Sequence, residues 1–406
     1  MKKILILGGS KAQVPLIEAA KKAGYYTVLC DWTTTNPGIQ LADKHYQVST
    51  MDIQAVLEVA EKEAVNGVVS NSEPVMVNVA MVAEHLNLPG NPPQAIEILQ
   101  SKNKFRKFQE KIGIFSPKSV EVETKEEAME CIKNISFPIV LKPSKSSGSR
   151  GTTVIEEAGI TGLEEVFAEC QAFSTNNKVT VEEYVKMPSL FNIEGDVFVC
   201  NGEILWNGMF TTFRSPHLPM VPEGDIFPVV ISKEQFAEVK QEITLIFREL
   251  GIMHGEYNIE SFYTDTGKLF IIEINARQGG NSIPSLVEDH SGVDMYKLLV
   301  TTAVGDNDYW NKIYGQECEK NYITNYIVFS REDGYYKGLE IDDSISKYVY
   351  DITEKCAIGS KVRAAKNASD AVGMVRLKFS TQKEQLEFSK NIEKLICPVI
   401  DTNNMN

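Results

Sequence analysis

The chain has 406 residues, 43% of them hydrophobic and 24% charged, with a formal net charge of −14. That length holds two or three lobes with large cores, and the acidity argues against nucleic acid or an anionic membrane as the main partner. The seven cysteines form no CxxC motif and no pattern with histidine, so neither a disulfide frame nor a zinc motif is expected, and a reducing cytoplasm fits.

Met1–Gly9 begins like the charged end of a signal peptide. Its apolar run is only four residues and stops at Gly8-Gly9, so it reads as a first strand. No run nears the ~18 apolar residues that a transmembrane helix needs. Strands at Ile4–Leu7, Thr27–Cys30 and Gly67–Ser70 alternate with helices at Val14–Ala23, Ala55–Ala64 and Val75–His85. This is the βαβ rhythm of a parallel sheet. Gly8-Gly9 lacks the Gly-x-Gly-x-x-Gly spacing, so a dinucleotide site with Asp31 as the ribose acid is set aside. The loop Ser72-Glu73-Pro74 still points at the crevice where such sheets bind ligands.

Leu88–Pro93 is a punctuated boundary. Ser101–Lys111 is a basic helix that, taken alone, reads as a solvated face. Thr124 and Glu127 form a capping box for a helix to Ile132. The strand Phe137–Pro143 delivers Lys142 to a loop, Ser144–Gly151, that contains Lys145, Ser147, Gly148, Ser149 and Arg150. Backbone N–H groups and hydroxyls in such a loop can fold over an anion, and the flanking cations favour a phosphate; the loop is not a Walker A motif. A strand from Lys178 ends in Glu182-Glu183-Tyr184-Val185. Phe191–Cys200 and Glu203–Phe210 make a hairpin around Asn201-Gly202, and a proline-punctuated loop carries Arg214 and His217. A long helix, Ser232–Leu250, stops at Gly251.

Residues 255–281 carry the sharpest signal. Two apolar runs flank the turn residues Thr264–Gly267, which predicts a β-hairpin. With alternation of period two, Glu273 and Asn275 share a face, and Ile272 and Ile274 share the other. A carboxylate in an apolar strand needs a partner, and Mg²⁺, with its oxygen ligands and retained phosphates, supplies one. Glu260 joins that face if the loop has four residues, with Tyr263 opposite Lys268. Glu260 and Glu273 are then diagonal neighbours roughly 7–8 Å apart at Cα. A three-residue loop puts Glu260 on the wrong face, so the metal reading requires the four-residue loop or a bulge that restores the phase. A solvated edge hairpin is the plain alternative. The last lobe, about 320–406, has strands at Ile323–Phe329 and Met374–Phe379 and a helix after Thr381, which with Glu384 makes a second capping box, and it carries no sharp chemical motif.

The order of these motifs resembles the ATP-grasp superfamily over residues 1–310, the terminal Glu-x-Asn-x-Arg-x-Gly-Gly being the most specific part. The resemblance implies an α/β and α+β fold: an N-terminal parallel α/β lobe (1–100), a central ATP-grasp fold of two α+β subdomains clamping ATP (101–320, with the lid at about 115–185), and a small C-terminal α+β lobe (321–406). It implies Mg²⁺, or Mn²⁺ in its place, on Glu260, Glu273 and Asn275. Lys104 and Lys142 would contact phosphates, residues 144–151 would close over them, and Glu182–Val185 would line the adenine slot. Glu194 would hold the ribose, with Asp196 as the alternate, because Leu190-Phe191 stands where many members have an acid. Arg277 would neutralise the γ-phosphate or the substrate carboxylate. Glu73, Arg214, His217, Gly279 and Gly280 are the substrate-pocket candidates.

The implied activity is an ATP-dependent ligase that activates a carboxylate as an acylphosphate for attack by an amine, releasing ADP and phosphate. Its partners would be small-molecule carboxylates and amines, with no nucleic acid and no membrane, and a homodimer is the assembly that members often form. The alternatives are a bicarbonate-dependent carboxylase or carbamoyl-phosphate-type enzyme, and a non-catalytic ATP-binding regulator.

Overall fold

Ile4 to Leu7 are buried without exception, as a strand covered on both faces must be. They form the centre of a parallel sheet of β1 (Lys3–Leu7), β2 (Tyr26–Cys30), β3 (Lys44–Tyr46) and β4 (Gly67–Val69), in the order β3-β2-β1-β4. The computed structural model describes residues 1–144, 151–157, 162–189, 191–219, 221–316 and 321–402. β3 was not legible in the sequence, since Lys-His-Tyr lacks any apolar run; as an edge strand it needs none. Asp31 serves the scaffold: its carboxylate accepts from the Gly9 N–H and the Asn36 amide, both at 2.7 Å.

A second sheet, in the order β5-β8-β6-β7, consists of β5 (Ser119–Val122), β6 (Ile139–Pro143), β7 (Thr153–Ile155) and β8 (Val179–Glu183). The helices Lys125–Ile132 and Leu163–Ala172 close its apolar core. The Thr124–Glu127 capping box is formed as expected.

The large sheet takes β9 (Phe191–Cys200), β10 (Glu203–Leu205), β11 (Met209–Phe213), β12 (Gly224–Phe227), β13 (His254–Tyr263), β14 (Leu269–Asn275) and β15 (Tyr322–Phe329). Asn201 and Gly202 both take positive φ in the turn after β9, as a tight hairpin turn demands. The expected single strand Glu203–Phe210 is instead broken between β10 and β11. There Gly208 approaches β9 so closely that a Cβ would overlap the Asp196 carbonyl. One face of β13 and β14 buries Ile259, Ile271 and Ile274 against the long helix Lys233–Leu250.

The remaining strands are β16 (Gly334–Ile341), β17 (Val349–Glu354), β18 (Lys361–Val362), β19 (Ala371–Phe379) and β20 (Ile396–Asp401). β15, β19 and β17 continue the large sheet, so hydrogen bonding runs past residue 321, where a separate lobe was expected. The sheet β18-β16-β20 stands apart from it. Thr381 caps the helix Gln382–Ser389 by accepting from the Glu384 N–H, without the reciprocal bond of a full box. Among the described residues no helix is long and apolar enough to cross a membrane.

Candidate active site

The β13–β14 hairpin forms, and of the two arrangements that the metal reading allows, the four-residue loop or a compensating bulge, it takes the bulge. Tyr263 pairs with Leu269, not opposite Lys268, so the four-residue loop is not what sets the phase. Continued unchanged, that register would place Glu260 opposite Ile272. A bulge between Glu260 and Ser261 takes up Ile272 and restores the phase: Glu260 pairs directly with Glu273, Ile259 with Ile274, and Asn258 with Asn275. The two carboxylates are therefore directly opposite rather than diagonal.

A bulge leaves ladder groups unpaired, and helix Lys102–Lys111 supplies their partners. Arg106 donates to the carbonyls of Ile271 (3.3 Å) and Ile272 (2.8 Å), and the Gln109 amide donates to Ile271 at 3.0 Å. The same guanidinium lies over the Phe270 ring and pairs with Glu182 of β8 at 3.0 Å. Glu182 also holds Lys142 of β6 at 2.5 Å. A buried triad thus ties the bulge to the second sheet. Burial pushes the Glu182 carboxyl up, but the Arg106 and Lys142 charges outweigh it and hold it down at about 2. Burial, partly offset by Glu182, lowers the Lys142 ammonium to about 8.

Two basic residues of that helix change places relative to expectation. The Lys104 ammonium pairs with Glu97 at 3.0 Å on an exposed face. Lys102 instead reaches to 3.7 Å from the Glu273 carboxylate. Burial opposes ionisation of Glu273, yet Lys102, the Asn275 amide at 3.0 Å, Arg277 and Lys142 bring its pKa below the ordinary range. Glu260 behaves oppositely: burial, then the Glu273 and Glu194 charges, push its pKa well up. Two facing carboxylates, with the Asn275 carboxamide beside them, make a donor set that fits a divalent ion, whose charge would offset the repulsion between them. No group of three His, Cys, Asp or Glu among the described residues is arranged as a metal cage. The hairpin therefore suits a hard ion that takes a pair of carboxylates and draws its other oxygens from phosphate and water.

Glu194 of β9 is the register partner of Glu260. Its side chain pairs with Arg214 at 3.4 Å, and burial raises its carboxyl to about 7 against that pull. The Asn192 carboxamide, with its oxygen toward Arg214, accepts from both terminal guanidinium nitrogens at 3.0 and 3.3 Å. Asp196 is engaged elsewhere, accepting from the Asn258 amide at 2.9 Å and the Gly279 N–H at 2.7 Å. A Cβ on Gly279 would sit 2.9 Å from that carboxylate, whereas Gly280 faces open space.

The N-terminal sheet meets the site at its strand ends, as expected for Glu73. Arg277 Nε lies 3.1 Å from Glu73 Oε2. Gln13, Asn71, Gln278 and Glu256 form a hydrogen-bonded chain across the same junction. His217 is exposed. The Glu183 N–H donates to the Lys118 carbonyl and the Glu183 carboxylate accepts from the Lys118 N–H, the Tyr184 N–H donates to the Pro138 carbonyl, and Val185 is half-buried. Ser147, Gly148, Ser149 and Arg150 lie outside the described residues; Gly151 follows them with a positive φ. Lys102, Arg106 and Gln109 were missed in the sequence. Their spacing of four and three residues on one helix face was the available signal.

Residues 4–88 match the family model described as "PylC-like, N-terminal domain". The carbamoyl phosphate synthase large chain of Clostridium acetobutylicum is 24% identical over 322 residues, covering 77% of this chain and 29% of that protein. That of Myxococcus xanthus is 24% identical over 324 residues, with 75% and 29% covered. The chain thus spans less than a third of the length of these relatives. Among solved structures, an L-amino acid ligase from Bacillus licheniformis superposes with a TM-score of 0.77 at 19% identity, covering 99% of each chain. A phosphoribosylglycinamide synthetase from Anaerococcus prevotii gives 0.71 at 19%, covering 98% of this chain and all of that one. Residues 101–307, just over half of the chain and the part that carries the basic helix, the triad and the hairpin, match the model of the "Carbamoyl-phosphate synthase L chain, ATP binding domain", and the chain belongs to that ATP-grasp family.

Proposed function

We propose that the protein is an ATP-dependent ligase that converts a carboxylate into an acylphosphate for attack by an amine, with release of ADP and phosphate. The observation that carries the reading is the directly opposed Glu260–Glu273 pair, with Asn275 beside it and Lys102, Lys142 and Arg277 around it. Phosphoryl transfer demands positioning and charge neutralisation more than proton transfer. A Mg²⁺ or Mn²⁺ ion, when bound with ATP, supplies Lewis-acid polarisation of the phosphate oxygens. Glu260, Glu273 and Asn275 are the residues that would hold it.

Lys102 takes the phosphate-contacting role first expected of Lys104, and Lys142 shares it. Residues Ser147–Gly151 would cover the phosphates. Glu182 has a structural side chain, so its part in the adenine slot, with Glu183, Tyr184 and Val185, falls to backbone groups. Arg277, held by Glu73, would orient the carboxylate oxygen that attacks the γ-phosphorus. Arg214, held by Glu194 and Asn192, and the backbone at Gly279-Gly280 suit the acceptor side. A ribose role for Glu194 competes with that ion pair. The three-part division at about 100 and 320 is retained as a functional one.

The test is ADP release by the whole chain with a panel of amino acids and other carboxylates, each with and without an amine, against bicarbonate with ammonia and against no substrate. Stimulation by one carboxylate–amine pair supports the ligase. The family match and the relatives favour one second reading, a bicarbonate-dependent enzyme of the carbamoyl-phosphate type, and stimulation by bicarbonate with ammonia, and by no other carboxylate, would select it. Tight Mg·ATP binding with no stimulation by any candidate would leave a non-catalytic regulator.

A further inference from the structure

A cavity of about 560 Å³ lies behind the basic helix, a volume in the range of small-ligand sites. Its walls come from the C-terminal half of that helix, the connection 113–119 into β5, the long helix Lys233–Leu250, and the hairpin turn. Lys102 belongs to the other end of the helix. None of the phosphate, metal or substrate candidates above lines this space.

Its chemistry is unfinished. Glu238 and Glu242, four residues apart on one helix, both line it, and like charges at that spacing repel. Glu238 accepts from the Tyr263 hydroxyl at 2.8 Å. Glu242 Oε2 is buried with no hydrogen-bond partner, and so is the Ser119 hydroxyl, another lining residue. Buried polar atoms without partners are uncommon and ask for an explanation. Lys107, Lys118 and Lys268 also line the cavity, with the Lys268 ammonium 5.2 Å from the centre of the Phe115 ring. Arg106 is spoken for by Glu182 and the bulge carbonyls. The remaining groups offer carboxylates for a cation, lysines for an anion, and an aromatic wall for an apolar body.

We propose that this cavity is a second ligand site, for a small zwitterion of the α-amino acid class, whose ammonium is met by Glu242 and Glu238 and whose carboxylate is met by the lysine side. The site bears on the nucleotide side through Arg106, which lines the cavity and also grips Glu182 and the Ile271–Ile272 bulge. The inference does not depend on which reaction the site across the helix performs.

The experiment uses the full chain and four probes: glycine, L-leucine, L-glutamate and L-lysine. Thermal unfolding and Mg·ADP affinity are measured with each, and in Glu242→Gln and Lys268→Gln variants. One or more amino acids should raise Tm by about 2 °C or more and change the Mg·ADP dissociation constant by about fivefold. The matching amine and the matching carboxylate, each lacking the second charge, should do neither. Both variants should lose these effects while keeping the thermal shift given by Mg·ADP alone, which shows that they fold. The proposal is overturned if no probe acts, if the lone amine or carboxylate acts equally, or if the effects survive in both variants. Survival would place the amino acid at the Arg277 site instead. Binding that leaves the nucleotide affinity unchanged would overturn the coupling through Arg106.

Discussion

Glu273 stands at the meeting point of Lys102, Asn275 and its register partner Glu260, so its removal should be felt first. Glu273→Ala is expected to lower Mg²⁺-dependent turnover by at least ~100-fold, with far-ultraviolet circular dichroism unchanged. Unchanged turnover would remove the metal assignment. The two lysines separate more finely. Lys102→Ala should raise the KM for ATP about 10- to 100-fold, the worth of one charge-assisted contact. Lys104→Ala, whose partner is the exposed Glu97, should stay within about twofold, because exposed pairs contribute little. Steady-state kinetics of the two variants would show the reverse order if the phosphate contact were Lys104. The sequence made Glu260, Glu273, Asn275 and Arg277 legible because polar residues at strand spacing in an apolar run are conspicuous. It did not separate Lys102 from Lys104, because which face of a short basic helix turns inward depends on the element it packs against.

At the scale of elements, the bulge and the triad are one device. Ile272 is the extra residue that turns Glu260 toward Glu273, and Arg106 satisfies the carbonyls that the bulge exposes. Arg106→Leu leaves the Ile272 carbonyl bare, leaves the Ile271 carbonyl to Gln109 alone, and half-strips the partners of buried Glu182; it should cost about 3–5 kcal/mol in urea unfolding. A loss below about 1 kcal/mol would mean that the bulge does not need its clamp. Alternation of hydrophobicity predicted the face of each strand but did not choose between a four-residue loop and a bulge, since Ile-Ile is equally apolar with or without a slip of one residue. The N-terminal lobe carries its own electrostatic clasp. Glu63 accepts from Lys3, Lys44 and Tyr46, and these hydrogen bonds hold its carboxyl at about 2. A carboxyl so lowered contributes stability that is complete above the unfolded value of 4.5 and is lost as pH falls toward about 2. Glu63→Gln should therefore lower the urea midpoint near neutral pH, and the gap from the parent protein should narrow below about pH 4.5. A gap independent of pH would show that the ion pairs are not its source.

Across the whole molecule, the cleft is built where three parts converge. The parallel sheet brings Glu73 to Arg277, the second sheet brings Lys142 and Glu182 to Arg106, and the large sheet carries the carboxylates. The order of motifs was enough to foresee that convergence. The path of the C-terminal segment was not foreseen: β15 and β19 look like any amphipathic strands in sequence, and only their partners reveal that they extend the large sheet. The central claim, transfer of the γ-phosphoryl group of ATP to a carboxylate, has a direct test. The carboxylate that most stimulates ADP release is supplied with oxygen-18 in its carboxyl group, and the released phosphate is examined by phosphorus NMR or mass spectrometry. An acylphosphate route moves one labelled oxygen into each phosphate formed with product. Phosphate free of label, with ADP released at the same rate, would mean that water takes the phosphoryl group and would contradict the account.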